Sequence, residues 1–180
     1  MITLVALILL SLVILRITNS FLITDNIMLE SKIKLQAVSV AASIIEEGVG
    51  LAFDDNSVDI DSTTVFISSL NDLTSANNLG PEGETYGNFD DIDDFNGLTF
   101  NTDDTLSGNK FFGLYGDVYT IICKVDYVNG INPNLHSNSN TWHKRLRVYV
   151  TSKVMGDTDY TYRDYADTIK MEVVQSNFSY

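Results

Sequence analysis

The sequence predicts an α+β fold in which one long, protruding N-terminal α-helix packs against a small antiparallel β-sheet head. Three observations carry this. Fifteen uncharged residues, MITLVALILLSLVIL, open the chain, and neither Pro nor Gly interrupts the helical pattern until Gly48. The C-terminal half alternates apolar and polar residues as strands do. Between these regions lies a stretch with no Lys or Arg at all, from Lys34 to Lys110, that carries 15 carboxylates.

The helix comes first. At about 1.5 Å per residue, roughly 48 residues span on the order of 72 Å, far more than a small domain needs to cover its own core. Such a helix must protrude, and its apolar end needs a partner. Nothing basic precedes the apolar run and no A-x-A site follows it, so it is expected to be retained rather than removed as a secretory signal. As a simple bilayer span it is short, because Arg16 interrupts it after 15 residues where about 20 are needed. Past Arg16, the residues Leu29, Ile33, Ala37, Val40, Ile44 and Leu51 recur along one stripe, expected to lie on the head. Ala37, Ser39, Ala41, Ala42 and Ser43 allow close approach of a sheet or helix, and Gly48 and Gly50 supply a stop.

The acidic middle is rich in Asn, Asp, Gly and Thr, which points to loops and short edge elements, pinned by Phe89, Ile92, Phe95, Leu98 and Phe100. Its densest cluster is Asp90, Asp91, Asp93 and Asp94, followed by Asn96-Gly97. Crowded hard oxygen ligands suit calcium, so these four are candidate ligands, although the spacing is not that of an EF-hand. The competing reading is a solvated turn whose carboxylates cap their own backbone.

Three strands are expected after it. Val118 to Val128 places Tyr119, Ile121, Cys123, Val125 and Tyr127 on one face. Trp142 to Thr151 places Trp142, Leu146, Val148 and Val150 inward, with His143, Arg145, Arg147 and Tyr149 opposite. Thr168 to Val174 turns Ile169, Met171 and Val173 inward, after a Tyr-rich segment, DYTYRDYAD. Lys144, Arg145 and Arg147 form a basic group expected at the surface. It would meet the acidic middle, either within one head or between neighbouring heads.

Composition sets further bounds. A length of 180 residues allows a helix plus one compact head, and a formal charge of −13 repels a phosphate backbone, which argues against nucleic acid. The lone cysteine, Cys123, permits no intramolecular disulfide. Only two histidines exist, His136 and His143, and neither lies in a HExxH, GxSxG or phosphate-loop context, so no enzymatic activity and no required cofactor are expected. Asn177-Phe178-Ser179 is the one N-x-S/T sequon, which makes Asn177 a candidate glycosylation site.

An apolar N-terminal half-helix that continues as an amphipathic half under a small β-rich head resembles a mature type IV pilin or pseudopilin. The resemblance is one of architecture more than motif. It implies a leader removed by a prepilin peptidase, storage in the inner membrane, and extraction by a pilus assembly machinery into an extracellular helical homopolymer on the cell surface. It also implies residues 1–28 as filament core or membrane segment, 29–52 as the spine of the head, and 53–180 as an acidic globular head. Three features depart from the family pattern. Val5 stands where members usually carry Glu, Phe21 and Leu22 stand where a helix-breaking Pro is common, and paired cysteines are missing.

In a dry filament core an isolated ion is costly, so Arg16 needs an anion. Asp25 lies nine residues on, about 13.5 Å along the helix, too far for an intrahelical contact but suited to an axially shifted neighbour. The expected subunit interface therefore comprises Met1, Val5, Leu9, Leu12 and Arg16, with Asp25 or Glu30 as the partner of Arg16. The alternatives are a minor or tip pseudopilin of a secretion machine, to which Val5 points, and a monomeric membrane-anchored envelope protein with a binding head.

Overall fold

The computed structural model describes residues 2–57, 67–101, 119–152, 155 and 168–177. Helix α1 runs Ile2–Gly50 without a break, 49 residues. Strands β1 (Thr99–Asn101), β2 (Tyr119–Tyr127), β3 (His143–Ser152) and β4 (Ile169–Ser176) form one antiparallel sheet in the order β1-β2-β3-β4. One long helix against an antiparallel sheet is the expected α+β arrangement, and it fits a pilin-like fold. The sheet has a fourth strand because three residues of the acidic middle, Thr99 to Asn101, pair with the edge of β2.

The helix packs against β3 and β4. Ile33, Ala37, Val40, Ala41 and Ile44 are buried against Ile121, Cys123, Val125, Leu146, Val148 and Val150. Those strand residues alternate along β2 and β3, so a single face of the sheet supplies the core. Leu29 does not join them and is 52% exposed. The first buried turn of the helix is that of Ile33, where the Tyr119 hydroxyl donates to the Ile33 carbonyl at 3.2 Å and to Gln36 Oε1 at 3.1 Å. Leu29 lies a turn beyond that tie. The spine of the head thus begins four residues later than the periodicity alone predicts.

Close approach of helix and sheet has a residue-level cause at Gly48. A Cβ there would sit 2.7 Å from Leu146 Cδ2, so any side chain would displace a buried leucine. Beyond Gly50 the chain turns into the acidic region, which folds back rather than looping into solvent. Ala52 and Asp91 form a parallel bridge, with Ala52 N–H donating to the Asp90 carbonyl at 3.0 Å and Ile92 N–H to the Ala52 carbonyl at 3.0 Å. Ile92 and Phe95 are buried in the main core, while Phe89, Leu98 and Phe100 pack on it. All five aromatic and aliphatic pins expected of this region therefore serve as such. Tyr86 adds a hydrogen bond of 2.5 Å to Glu47 on the helix.

Asn96-Gly97 closes the excursion. Gly97 adopts φ +82°, a left-handed conformation that favours glycine. The Asn96 amide donates to the Leu79 carbonyl at 2.8 Å, and its Oδ1 accepts from Val125 N–H at 3.0 Å, which joins the loop to β2. A smaller core of Phe53, Ile67, Leu73, Leu79 and Tyr127 lies beside the main one, with Trp142 packed on it.

Candidate functional site

Two places in the molecule combine charge with an apolar setting. The first is the free half of α1. From Leu4 to Leu29, 17 large apolar side chains are each more than half exposed. Among the proposed interface residues, Val5, Leu9 and Leu12 are 55%, 57% and 53% exposed, and Met1 lies outside the described residues. Consecutive residues such as Leu7, Ile8, Leu9 and Leu10 are all exposed, so the surface is apolar on every side, which suits full immersion rather than one-sided contact. Among the described residues, one helix is long and apolar enough to cross a membrane.

Arg16 and Asp25 are exposed on this segment, and no ion pair to either occurs within the chain among the described residues. Glu30 differs. Its carboxylate accepts from Lys34 Nζ at 2.6 Å, one helical turn on, so it already has a cation. Of the two acids proposed for Arg16, Asp25 is the one left unneutralised.

The second place lies inside the head, and it corrects the expected surface position of Lys144. That residue is fully buried. In strand register it opposes Tyr127 and Gln175, and it shares the inward parity of Leu146, Val148 and Val150. Its ammonium donates to the Phe53 carbonyl at 2.7 Å, to Asp54 Oδ2 at 2.8 Å and to Asp93 Oδ1. The rings of Phe53 and Tyr127 stand 4.8 and 5.5 Å from it. Lys144 thus meets the acidic middle within one head, but in the interior.

The carboxylates around it have separate jobs. Asp54 accepts from Thr74 N–H at 3.0 Å and from Asn56 N–H at 3.3 Å, with the Tyr127 hydroxyl at 3.4 Å. Asp91 Oδ1 accepts from the backbone N–H of Asp93 at 2.8 Å and of Asp94 at 3.2 Å. The Oδ2 atoms of Asp91 and Asp93 are both buried with no hydrogen-bond partner. Burial, then the neighbouring Asp93 charge, pushes Asp91 up to about 9, which keeps Asp91 neutral. Burial likewise raises Asp93, opposed by Lys144.

The four calcium candidates do not converge on a single point. Asp91 and Asp93 turn inward, toward the interior occupied by Lys144. Asp94 Oδ2 accepts from the backbone N–H of Asp90 at 3.1 Å and of Asp91 at 3.2 Å. Backbone capping is therefore present, but the turn is buried rather than solvated. Among the described residues, the carboxylates that do gather are Glu84, Asp90 and Asp94, one oxygen from each lying within 4.8 Å of the others. That trio, and not the consecutive four, is where a hard cation would fit.

Arg145 and Arg147 occupy the outer face of the sheet, as their parity requires. Neither is a free surface charge. Asp126 Oδ2 accepts from Arg145 Nη2 at 2.7 Å and Oδ1 from Arg147 Nη2 at 2.7 Å, with His136 Nδ1 at 3.1 Å from Oδ2. Burial alone would raise Asp126, but the hydrogen bond from Arg145 and the charge of Arg147 hold it below the usual carboxylate range. The carboxylate that Arg145 and Arg147 share thus comes from β2, not from the acidic middle. Cys123 is buried, and burial pushes its thiol up to about 12, which leaves it unreactive. The Asn177 backbone N–H donates to the Trp142 carbonyl at 3.0 Å, and the rest of the sequon lies outside the described residues, as do the Tyr-rich segment and Val118.

No family model, characterised protein or solved structure matches this chain. The reading of its function therefore rests on geometry and chemistry alone. Sequence reasoning missed the buried Lys144 cluster, although the signal was present: Lys144 lies two residues before Leu146, on the inward side of an alternating strand.

Proposed function

We propose that this chain is the structural subunit of an extracellular pilus-like filament, a helical homopolymer assembled by packing apolar N-terminal half-helices after storage in the membrane. One observation carries it: residues 3–32 form continuous helix with apolar side chains exposed on every side, while the head buries only the turns from Ile33 onward. That free segment is about 45 Å long, longer than the roughly 30 Å of a bilayer core. Burial of its apolar surface at about 25 cal/mol per Å² supplies the cohesion of the fibre. No catalytic group and no cofactor enter this reading. The membrane, a prepilin peptidase and an assembly machinery are its transient partners.

Arg16 separates this reading from a monomeric membrane anchor. A bilayer span that includes Arg16 would have to hold its guanidinium within or at the edge of the hydrocarbon layer. A neighbouring helix shifted by nine residues would instead present Asp25 to it. Electron cryo-microscopy of fibres sheared from cells, with mass spectrometry of the main band, tests the proposal. Fibres built from this chain with Arg16 beside a neighbour's Asp25 support it. Recovery of the chain only as detergent-extracted single subunits would transfer the reading to an anchored head, and recovery as a trace component of fibres made of another chain would transfer it to a minor pseudopilin.

A further inference from the structure

We propose that the Lys144 amine and the Asp93 side-chain carboxyl condense into an intramolecular amide, a covalent bond between β3 and the 3-10 turn at Asp93–Phe95. The inference stands apart from filament assembly and concerns the head alone.

Three features of the site point to it. Nucleophile and electrophile touch, since Lys144 Nζ donates to Asp93 Oδ1, and both side chains are wholly buried. Groups fixed in contact react with effective molarities of about 10⁵ to 10⁸ M, so an intermolecularly unfavourable condensation becomes accessible. The walls are aromatic, Phe53 and Tyr127, so the water released does not remain to reverse the step.

The third feature is the difference between the two acids that Lys144 contacts. Asp54 has its oxygens engaged by the Thr74 N–H and hydroxyl and by the Asn56 N–H, which makes it a poor electrophile and leaves it the role of accepting an ammonium proton. Asp93 has no such donors. Its Oδ2 and the Oδ2 of Asp91 are buried with no hydrogen-bond partner, and burial keeps Asp91, two residues away, neutral. A carboxyl with an orphaned oxygen beside a neutral acid is the one an amine can attack.

The step balances without a co-reactant. One Nζ proton passes to Asp54, and the freed lone pair forms the N–C bond at Asp93 Cγ while a C–O bond breaks. The departing oxygen takes the Asp91 proton and a second Nζ proton and leaves as water. The proton on Asp54 then returns to Asp91. Ammonium and carboxylate become amide and water, and a buried ion pair becomes a neutral group.

The test is the mass of the full chain isolated from cells, followed by proteolysis and tandem mass spectrometry. The expected chain is lighter than its sequence by one water and yields a branched peptide that joins Lys144 to Asp93. Lys144→Arg recovers the full mass. Asp91→Asn, equal in size, retains the fold by circular dichroism yet forms the link about a hundredfold more slowly, because the proton donor is gone. Unlinked Lys144 and Asp93 peptides from the unmutated chain overturn the proposal, and that result needs no variant to fold. Loss of water within an unbranched peptide, or a branch ending at Asp54, overturns it equally.

Discussion

Two cations of this protein sit among apolar side chains, and their surroundings differ completely. Lys144 is enclosed by the head and donates to two carboxylates and a carbonyl. Arg16 stands on an exposed apolar helix with no anion of its own chain among the described residues. Lys144 is paired inside the head, whereas Arg16 has no anion among the described residues. The same division runs through the apolar residues, since Ile33 and Ile44 are buried while Leu4 to Leu29 are not.

The largest effect should come from reversing the open charge. Arg16→Glu is expected to abolish fibres, and the double variant with Asp25→Arg should restore them, counted by electron microscopy of sheared material. Normal fibres from Arg16→Glu, or none from the double variant, would break the contrast. Removing the closed charge comes next. Lys144→Met leaves Asp54 and Asp93 buried without their cation, at a cost of about 3 to 5 kcal/mol by urea titration of the full chain in detergent. A loss under about 1 kcal/mol would mean the pair is not structurally required.

Apolar truncations sharpen the division further. Ile44→Ala should destabilise the head by about 2 to 5 kcal/mol. Leu12→Ala, on the exposed half, should leave the urea midpoint of the head unchanged and lower fibre yield instead. The smallest effect lies on the outer sheet face. Because Asp126 is held below the usual carboxylate range, the folded head binds fewer protons there than the unfolded chain. Its contribution is therefore full above about pH 4 and is lost as pH falls through the depressed value. Arg145, Arg147 and His136 are the charged or titratable groups that face it. Melting curves of the unmutated chain and of Asp126→Asn should differ at neutral pH and converge in acid.

Much of this architecture was legible in the sequence because it rests on periodicity. The unbroken run to Gly48 gave the helix, and alternation gave β2, β3 and β4 with their inward residues. The short β1 escaped because three residues carry no period of their own, and Thr99 to Asn101 is defined only by its pairing with Ile122, Ile121 and Thr120. The start of the spine was misplaced for a related reason. Leu29 has the right spacing, but burial depends on whether the sheet extends far enough to cover it. At the buried cluster, residue type misled where position would not have. Three consecutive basic or near-consecutive side chains suggest a surface patch, yet in a strand Lys144 must face opposite to Arg145. Likewise, the run from Asp90 to Asp94 reads as a cation trap until Ala52 pairs with Asp91 and brings the run inward to Lys144, a cation already in the chain.

The position of the Lys144 contact also determines how the molecule carries tension. A pull along α1 leaves the helix at Gly50 and reaches Asp54 four residues later, where the Lys144 contact hands it to β3, a central strand of the sheet. The acidic excursion is tied into that route, because Asp93 meets the same ammonium and Asp91 is bridged to Ala52. A stretched fibre would therefore load the turn at Asp93–Phe95 together with its sheet and its helices.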